Sequence, residues 1–188
     1  ASYTEALYLR DIAGEEAYRA KLAEYRPRIA SRVALAPRGA IDSGAYLADD
    51  GWGGDIYFKG SWILHSLRNL IGDEAFFASL TRLVYATPDP VPGEIAPLLR
   101  DTDEFLAILE QESGRELDWF FEVYLRQPAL PQLKLGRQGS ILTLEWQVPG
   151  EGAFPMPVDV KVGDRVIVAE FEERSAKVDL GSPTVGVG

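Results

Sequence analysis

The residues with the most chemical potential in this sequence are Tyr57-Phe58-Lys59-Gly60, reached through the glycine-rich run Gly51-Trp52-Gly53-Gly54. A phenol donates a hydrogen bond at neutral pH, because its ordinary pKa of about 10 keeps the proton on. Tyr57 can therefore stabilise a reaction intermediate, or it can be an aromatic at the start of a helix, packed on a loop. Composition alone favours the second. Lys59 reads as a solvated cation, with pairing to a nearby carboxylate as the alternative.

Other chemistries have little to work with. The chain holds one histidine, His65, and no cysteine. A catalytic zinc usually takes about three protein ligands rich in His, and an HExxH motif needs two histidines. Neither can be built from this sequence. No thiol nucleophile, thiolate metal site or disulfide exists either, which leaves the cellular compartment open. His65 lacks the partners of a nucleophilic triad and reads as a satisfied, partly buried residue. Asp49-Asp50-Gly51 lacks the alternating spacing of a calcium loop. The remaining Asp and Glu residues are scattered, which weakens a paired-carboxylate glycosidase.

The element that must position Tyr57 is a helix beginning near Asp55. Ile56, Ile63, Leu64, Leu67, Leu70 and Ile71 recur at three- and four-residue steps, as one buried face requires. Gly72 predicts a left-handed C-cap and Asp73 a cap for a second helix. Gly60 in the first turns suggests close approach by another backbone, since glycine there costs about 1 kcal/mol.

Upstream, residues 1–13 have helical period, Gly14 closes that helix, and a second runs to Tyr25 with a break at Pro27. Residues 33–54 form a long connection without period, of the kind that borders functional sites. Thr87 to Gly93 is a proline-rich connection and Glu94 to Leu99 a short helix. Thr102 is the expected N-cap of a helix closed at Gly114, and Leu117 to Leu125 a short apolar helix read as core. Pro128 to Pro131 marks a boundary. Beyond it the period changes from 3.6 to 2, in Ile141 to Val148, Val158 to Val162 and Val166 to Phe171. Gly136, Gly139, Pro149-Gly150, Gly163-Asp164 and Gly181 supply turns. The expected fold is α+β by segregated regions: an all-helical subdomain over residues 1–128, then an antiparallel β-sandwich over 132–188 with about six or seven strands.

Tyr57, Lys59, Gly60, Leu64, His65, Leu67 and Arg68, followed by Gly72-Asp73-Glu74-Ala75-Phe76, match a Tyr-x-Lys-Gly and LHxLR pattern. Ser2, Tyr3, Glu5, Ala6 and Leu7 match a Ser-Tyr-x-Glu-Ala-Leu segment. Phe105, Ser113, Gly114, Leu117, Phe120 and Phe121, then Leu125, Pro128 and Pro131, match a third. With these motifs the sequence resembles the aminopeptidase N-like family of zinc metallopeptidases (gluzincin aminopeptidases), in its C-terminal portion. The resemblance implies that Tyr57 faces a zinc ion and hydrogen-bonds the reaction intermediate. It also implies that the zinc ligands precede Ala1. Trp52 and Lys59 become candidates for the substrate cleft. Some members of the family carry a second tyrosine where Trp52 stands.

The resemblance thus implies part of an enzyme that hydrolyses N-terminal peptide bonds, inactive as this chain alone. No cofactor is expected here and zinc is expected in the intact protein. The expected partners are an upstream zinc-binding domain of the same protein and a peptide substrate. The chain begins with Ala, not Met, so removal of preceding sequence is expected. The competing reading is a non-catalytic helical-plus-sandwich interaction or scaffold module related to these peptidases. A net charge of −10 argues against nucleic acid or an anionic membrane as partner. No apolar run approaches the roughly 20 residues that span a bilayer.

Overall fold

A computed structural model describes residues 1–39, 54–91, 93 and 98–181. Helices occupy the first part of the chain and strands the last, an α+β fold with the two kinds of element segregated. The chain divides into two compact units, Ala1–Ala129 and Leu130–Gly188.

In the first unit, α1 spans Ser2–Tyr25, but Gly14 interrupts it at φ 86° and ψ −179°. Only glycine adopts this backbone region without strain. The chain folds back on itself there. Tyr25 Oη donates to Glu5 Oε2 at 2.8 Å and to the Ser2 carbonyl at 3.3 Å. An unbroken helix of this length would hold those ends about 36 Å apart. A single 3-10 turn, Arg26–Arg28, follows with Pro27 inside it.

Next come α2 (Asp55–Ile71) and α3 (Asp73–Tyr85), separated by Gly72. Gly72 has φ 86° and ψ 162°, so it makes an extended glycine-only corner instead of the expected left-handed cap. Asp73 does not cap α3. Its carboxylate instead accepts both arms of the buried Arg68 guanidinium, at 2.7 and 2.6 Å, and so closes the corner.

Helix α4 spans Thr102–Ser113, and its N-cap is Asp101, not Thr102. Asp101 Oδ1 accepts from the Glu104 amide at 2.8 Å while Glu104 Oε2 accepts from the Asp101 amide at 2.9 Å. That reciprocal box requires a side chain one residue earlier than the sequence suggested. Helix α5 (Asp118–Tyr124) buries Phe120, Phe121, Val123 and Tyr124. Burying each large apolar side chain contributes roughly 1.5–3 kcal/mol. The expected helix over Glu94 to Leu99 lies largely outside the described residues.

The second unit holds five strands among the described residues, fewer than the six or seven expected. They are β1 (Gln132–Gln138), β2 (Ile141–Gln147), β3 (Val158–Val162), β4 (Arg165–Ala169) and β5 (Ser175–Asp179). They form two antiparallel sheets, ordered β1-β2-β5 and β3-β4. Gly136, expected in a turn, lies within β1 opposite Thr143. Gly139-Ser140 and Gly163-Asp164 make the two-residue hairpin turns, with both glycines at positive φ. Leu144, Ala176 and Val178 from one sheet share a single apolar cluster with Ala169 and the partly buried Val158, Val160 and Ile167 from the other.

Candidate functional site

The site is built on the first turn of α2. Gly54 precedes it at φ 85°, and its carbonyl accepts from the amides of Tyr57 at 2.9 Å and Phe58 at 3.0 Å. A Cβ at Gly54 would lie 2.6 Å from Phe58 Cε2, so position 54 needs glycine for space as well as for conformation. Arg28 stacks its guanidinium over the Phe58 ring, 3.9 Å from its centre, and Tyr25 packs against the same ring.

Asp55 and Lys59 lie four residues apart and therefore on one face of the helix. Both are 0% exposed. Asp55 Oδ1 accepts from the Ala30 amide at 2.7 Å, and Oδ2 from the Arg32 amide at 3.2 Å. Lys59 Nζ donates to the carbonyls of Gln127 at 3.1 Å and Pro128 at 2.7 Å. Burial holds the Lys59 pKa below its usual value, while the Asp55 charge acts in the other direction. The buried pair thus ties α2 to the segment after α1 and to the segment after α5.

Tyr57 sits midway between them, about 200° around the helix from each, and points the other way. It is 53% exposed. Its hydroxyl has no hydrogen-bond partner among the described residues, while its carbonyl accepts from Ser61 Oγ at 2.6 Å. The ring stands at a cleft of about 350 Å³ lined by Ala1, Ser2 and Tyr3 of the chain start, by Gly60 and Leu64 of α2, and by Leu35 and Leu125 among others. A Cβ at Gly60 would meet only the Leu35 side chain, at 3.8 Å. Among the described residues no backbone approaches Gly60 closely, and the missing side chain leaves room in the cleft.

Behind the cleft runs a chain of hydrogen bonds. Tyr3 Oη lies 3.0 Å from Tyr18 Oη, which lies 2.6 Å from His65 Nδ1. Burial first, and then the hydrogen bond with Tyr3, push the Tyr18 phenol well above its ordinary value, so it stays protonated. Burial pushes His65 below its ordinary value, with Arg19 acting in the same direction and Glu15 against it. His65 is a satisfied, partly buried residue, as its surroundings in sequence suggested.

No protein-family model matches the chain, and no curated protein matches it either. Among solved structures it is similar to Legionella pneumophila aminopeptidase A, crystallised in complex with aspartic acid, with a TM-score of 0.54 and 15% identity. The likeness is one of fold. The match covers 95% of this chain and 20% of the aminopeptidase, so the chain spans about one fifth of the length of that structure.

Of the residues singled out in the sequence, Tyr57 is placed at the cleft. Trp52 lies outside the described residues. Lys59 is not solvated, nor is it among the residues lining this cleft, because its ammonium is turned inward onto two carbonyls. Among the described residues no three His, Asp or Glu side chains stand close enough to hold a metal ion. The described residues therefore do not fit a zinc site. Sequence reasoning missed Asp55 and the Tyr3–Tyr18 pair. The Asp55/Lys59 spacing of four was visible, but it is also the spacing of an ordinary solvated surface pair.

Proposed function

We propose that this chain is part of an aminopeptidase N-like zinc peptidase and supplies it with Tyr57 as a hydrogen-bond donor. The observation that carries the reading is the placement of Tyr57. An exposed phenol stands at a cleft, on a helical turn held from two sides by buried charges. The similarity of fold to an aminopeptidase supports the same reading. The zinc would be held by another part of the same protein, since the described residues offer no set of ligands. That part and a peptide substrate are the partners this reading requires.

Hydrolysis of a peptide bond converts a planar carbonyl into a tetrahedral centre with negative charge on its oxygen. A donor aimed at that oxygen binds the transition state more tightly than the substrate, and so it raises turnover more than it tightens binding. Tyr57 is suited to this because its helix already restricts it before substrate arrives. In the intact enzyme, Tyr57→Phe should lower kcat about 100- to 1000-fold, with little change in KM, fold or zinc content. A Phe variant with near wild-type kcat would leave Tyr57 as a packing residue.

The single histidine, with no ligand cluster among the described residues, motivates a second reading, a non-catalytic module related to such peptidases. The sequence encoded upstream separates the two. An HExxH motif followed by Asn-Glu-Gly supports the enzyme, and its absence supports the module.

A further inference from the structure

Asp55 and Lys59 are buried on one face of the first turn of α2, each bonded to backbone of a different segment. A fully buried ammonium that meets two backbone carbonyls and a fully buried carboxylate that meets two amides are costly groups to keep in a core. An apolar pair would pack the same helix face without that desolvation. What the charges add is direction. Each fixes the α2 backbone to a named carbonyl or amide, and apolar contacts do not. The two anchors flank Tyr57 at equal distance along the chain, each two positions from it. They pull on the two segments, 30–32 and 127–128, between which the start of α2 is held. The 30–39 segment is itself tied to the end of α5, because the Ala36 amide donates to the Leu125 carbonyl at 3.0 Å and Arg126 Nη1 to the Ala36 carbonyl at 2.5 Å. Leu35 and Leu125, one in each segment, also line the cleft in front of Tyr57.

We infer that Asp55 and Lys59 are positioning residues, which set the orientation of the Tyr57 phenol over the cleft from the buried side of the same helical turn. This rests on the reading of Tyr57 as a donor for its functional meaning, but not for its physical test.

The test uses the 188-residue chain labelled throughout with fluorotyrosine. Tyr57→Phe identifies the Tyr57 line in the fluorine NMR spectrum. Lys59→Met removes the ammonium at similar volume, and Asp55→Asn removes the carboxylate charge with almost no change in shape. In both variants the Tyr57 line should shift or broaden, while the lines of Tyr3 and Tyr18 stay in place and the helical circular dichroism is retained. If Lys59→Met moves every line together, Asp55→Asn decides. An unmoved Tyr57 line there, or a general movement of all lines, overturns the inference, because the pair would then serve only the fold. In the intact enzyme the same variants should lower kcat about tenfold or more at unchanged KM, the pattern of a misaligned donor. Unchanged kcat in a protein that Tyr57→Phe impairs also overturns it. If Tyr57→Phe itself has no effect, the donor reading fails, and the fluorine spectra still decide whether the pair orients the ring.

Discussion

Tyr18 and His65 share the shortest hydrogen bond behind the cleft, 2.6 Å from Oη to Nδ1, and which of the two donates depends on the form of the imidazole. Because burial lowers the His65 pKa in the folded protein, the unfolded chain takes up the proton first as pH falls. Below the ordinary histidine value of about 6.5 the unfolded state therefore holds more protons, and stability declines until the folded-state value is passed. Above about 6.5 this contribution is complete. Urea unfolding at a series of pH values between about 7.5 and 5.5, roughly one unit either side of that midpoint, should show the decline. His65→Gln should flatten it, and a wild-type curve that is flat through the window would contradict the assignment. The residue scale is also where the sequence was least legible. Tyr18 lies 47 positions from His65, and Lys59 lies 69 positions from the Pro128 carbonyl it meets. Periodicity says which face of a helix is buried, but it does not say that a lysine on that face will find two carbonyls. Lys59 therefore read as solvated, and Asp55 was passed over.

At the scale of elements the apolar pattern carried much more. The α2 and α3 boundaries, the short aromatic helix and the change of period beyond Pro131 all follow from the spacing of large apolar side chains. The exceptions lie where a local hydrogen bond competes with the pattern. Asp101 caps α4 because its carboxylate and that of Glu104 satisfy each other's amides. Gly136 continues β1 because Leu135 and Arg137 on either side are held opposite Leu144 and Leu142. Helix α5 buries four apolar side chains within its seven residues. Phe121 is buried against Phe105, at 6.1 Å between ring centroids, and beside Phe120. Phe121→Ala should cost about 3–5 kcal/mol, measured by denaturant unfolding. A loss below about 1 kcal/mol would mean that the site collapses to fill the space or is looser than this packing implies.

At the scale of the whole molecule, the segregation of helices from strands was visible in the sequence, because a change of period is a property of many residues at once. Among the described residues the strands number five against the six or seven expected, and β5, whose Ser-Ala-Lys-Val-Asp alternates exposed and buried side chains, was not among the segments singled out by period. For the chain as a unit, the expected result is that purified, chelator-washed protein retains no stoichiometric zinc and hydrolyses no aminoacyl or peptide substrate. One tightly held zinc per chain accompanied by turnover would overturn both this and the proposal that the metal is held elsewhere.

The reversal at Gly14 bears on how many chains make up one folded particle. Its backbone conformation has space for a Cβ but is one that side-chain-bearing residues avoid. Gly14→Ala therefore disfavours the turn itself, and the alternative it leaves is a continuous helix through residues 2–25. A straightened helix would carry Tyr3 away from Tyr18, its hydrogen-bond partner, and Ser2 and Glu5 away from Tyr25. The opposite half of the same helix from a second molecule would restore those contacts. Gly14→Ala should thus drive exchange of the first half-helix between two chains, giving an intertwined dimer in size-exclusion chromatography with light scattering, whereas a strictly monomeric variant of normal stability would show that the turn tolerates alanine.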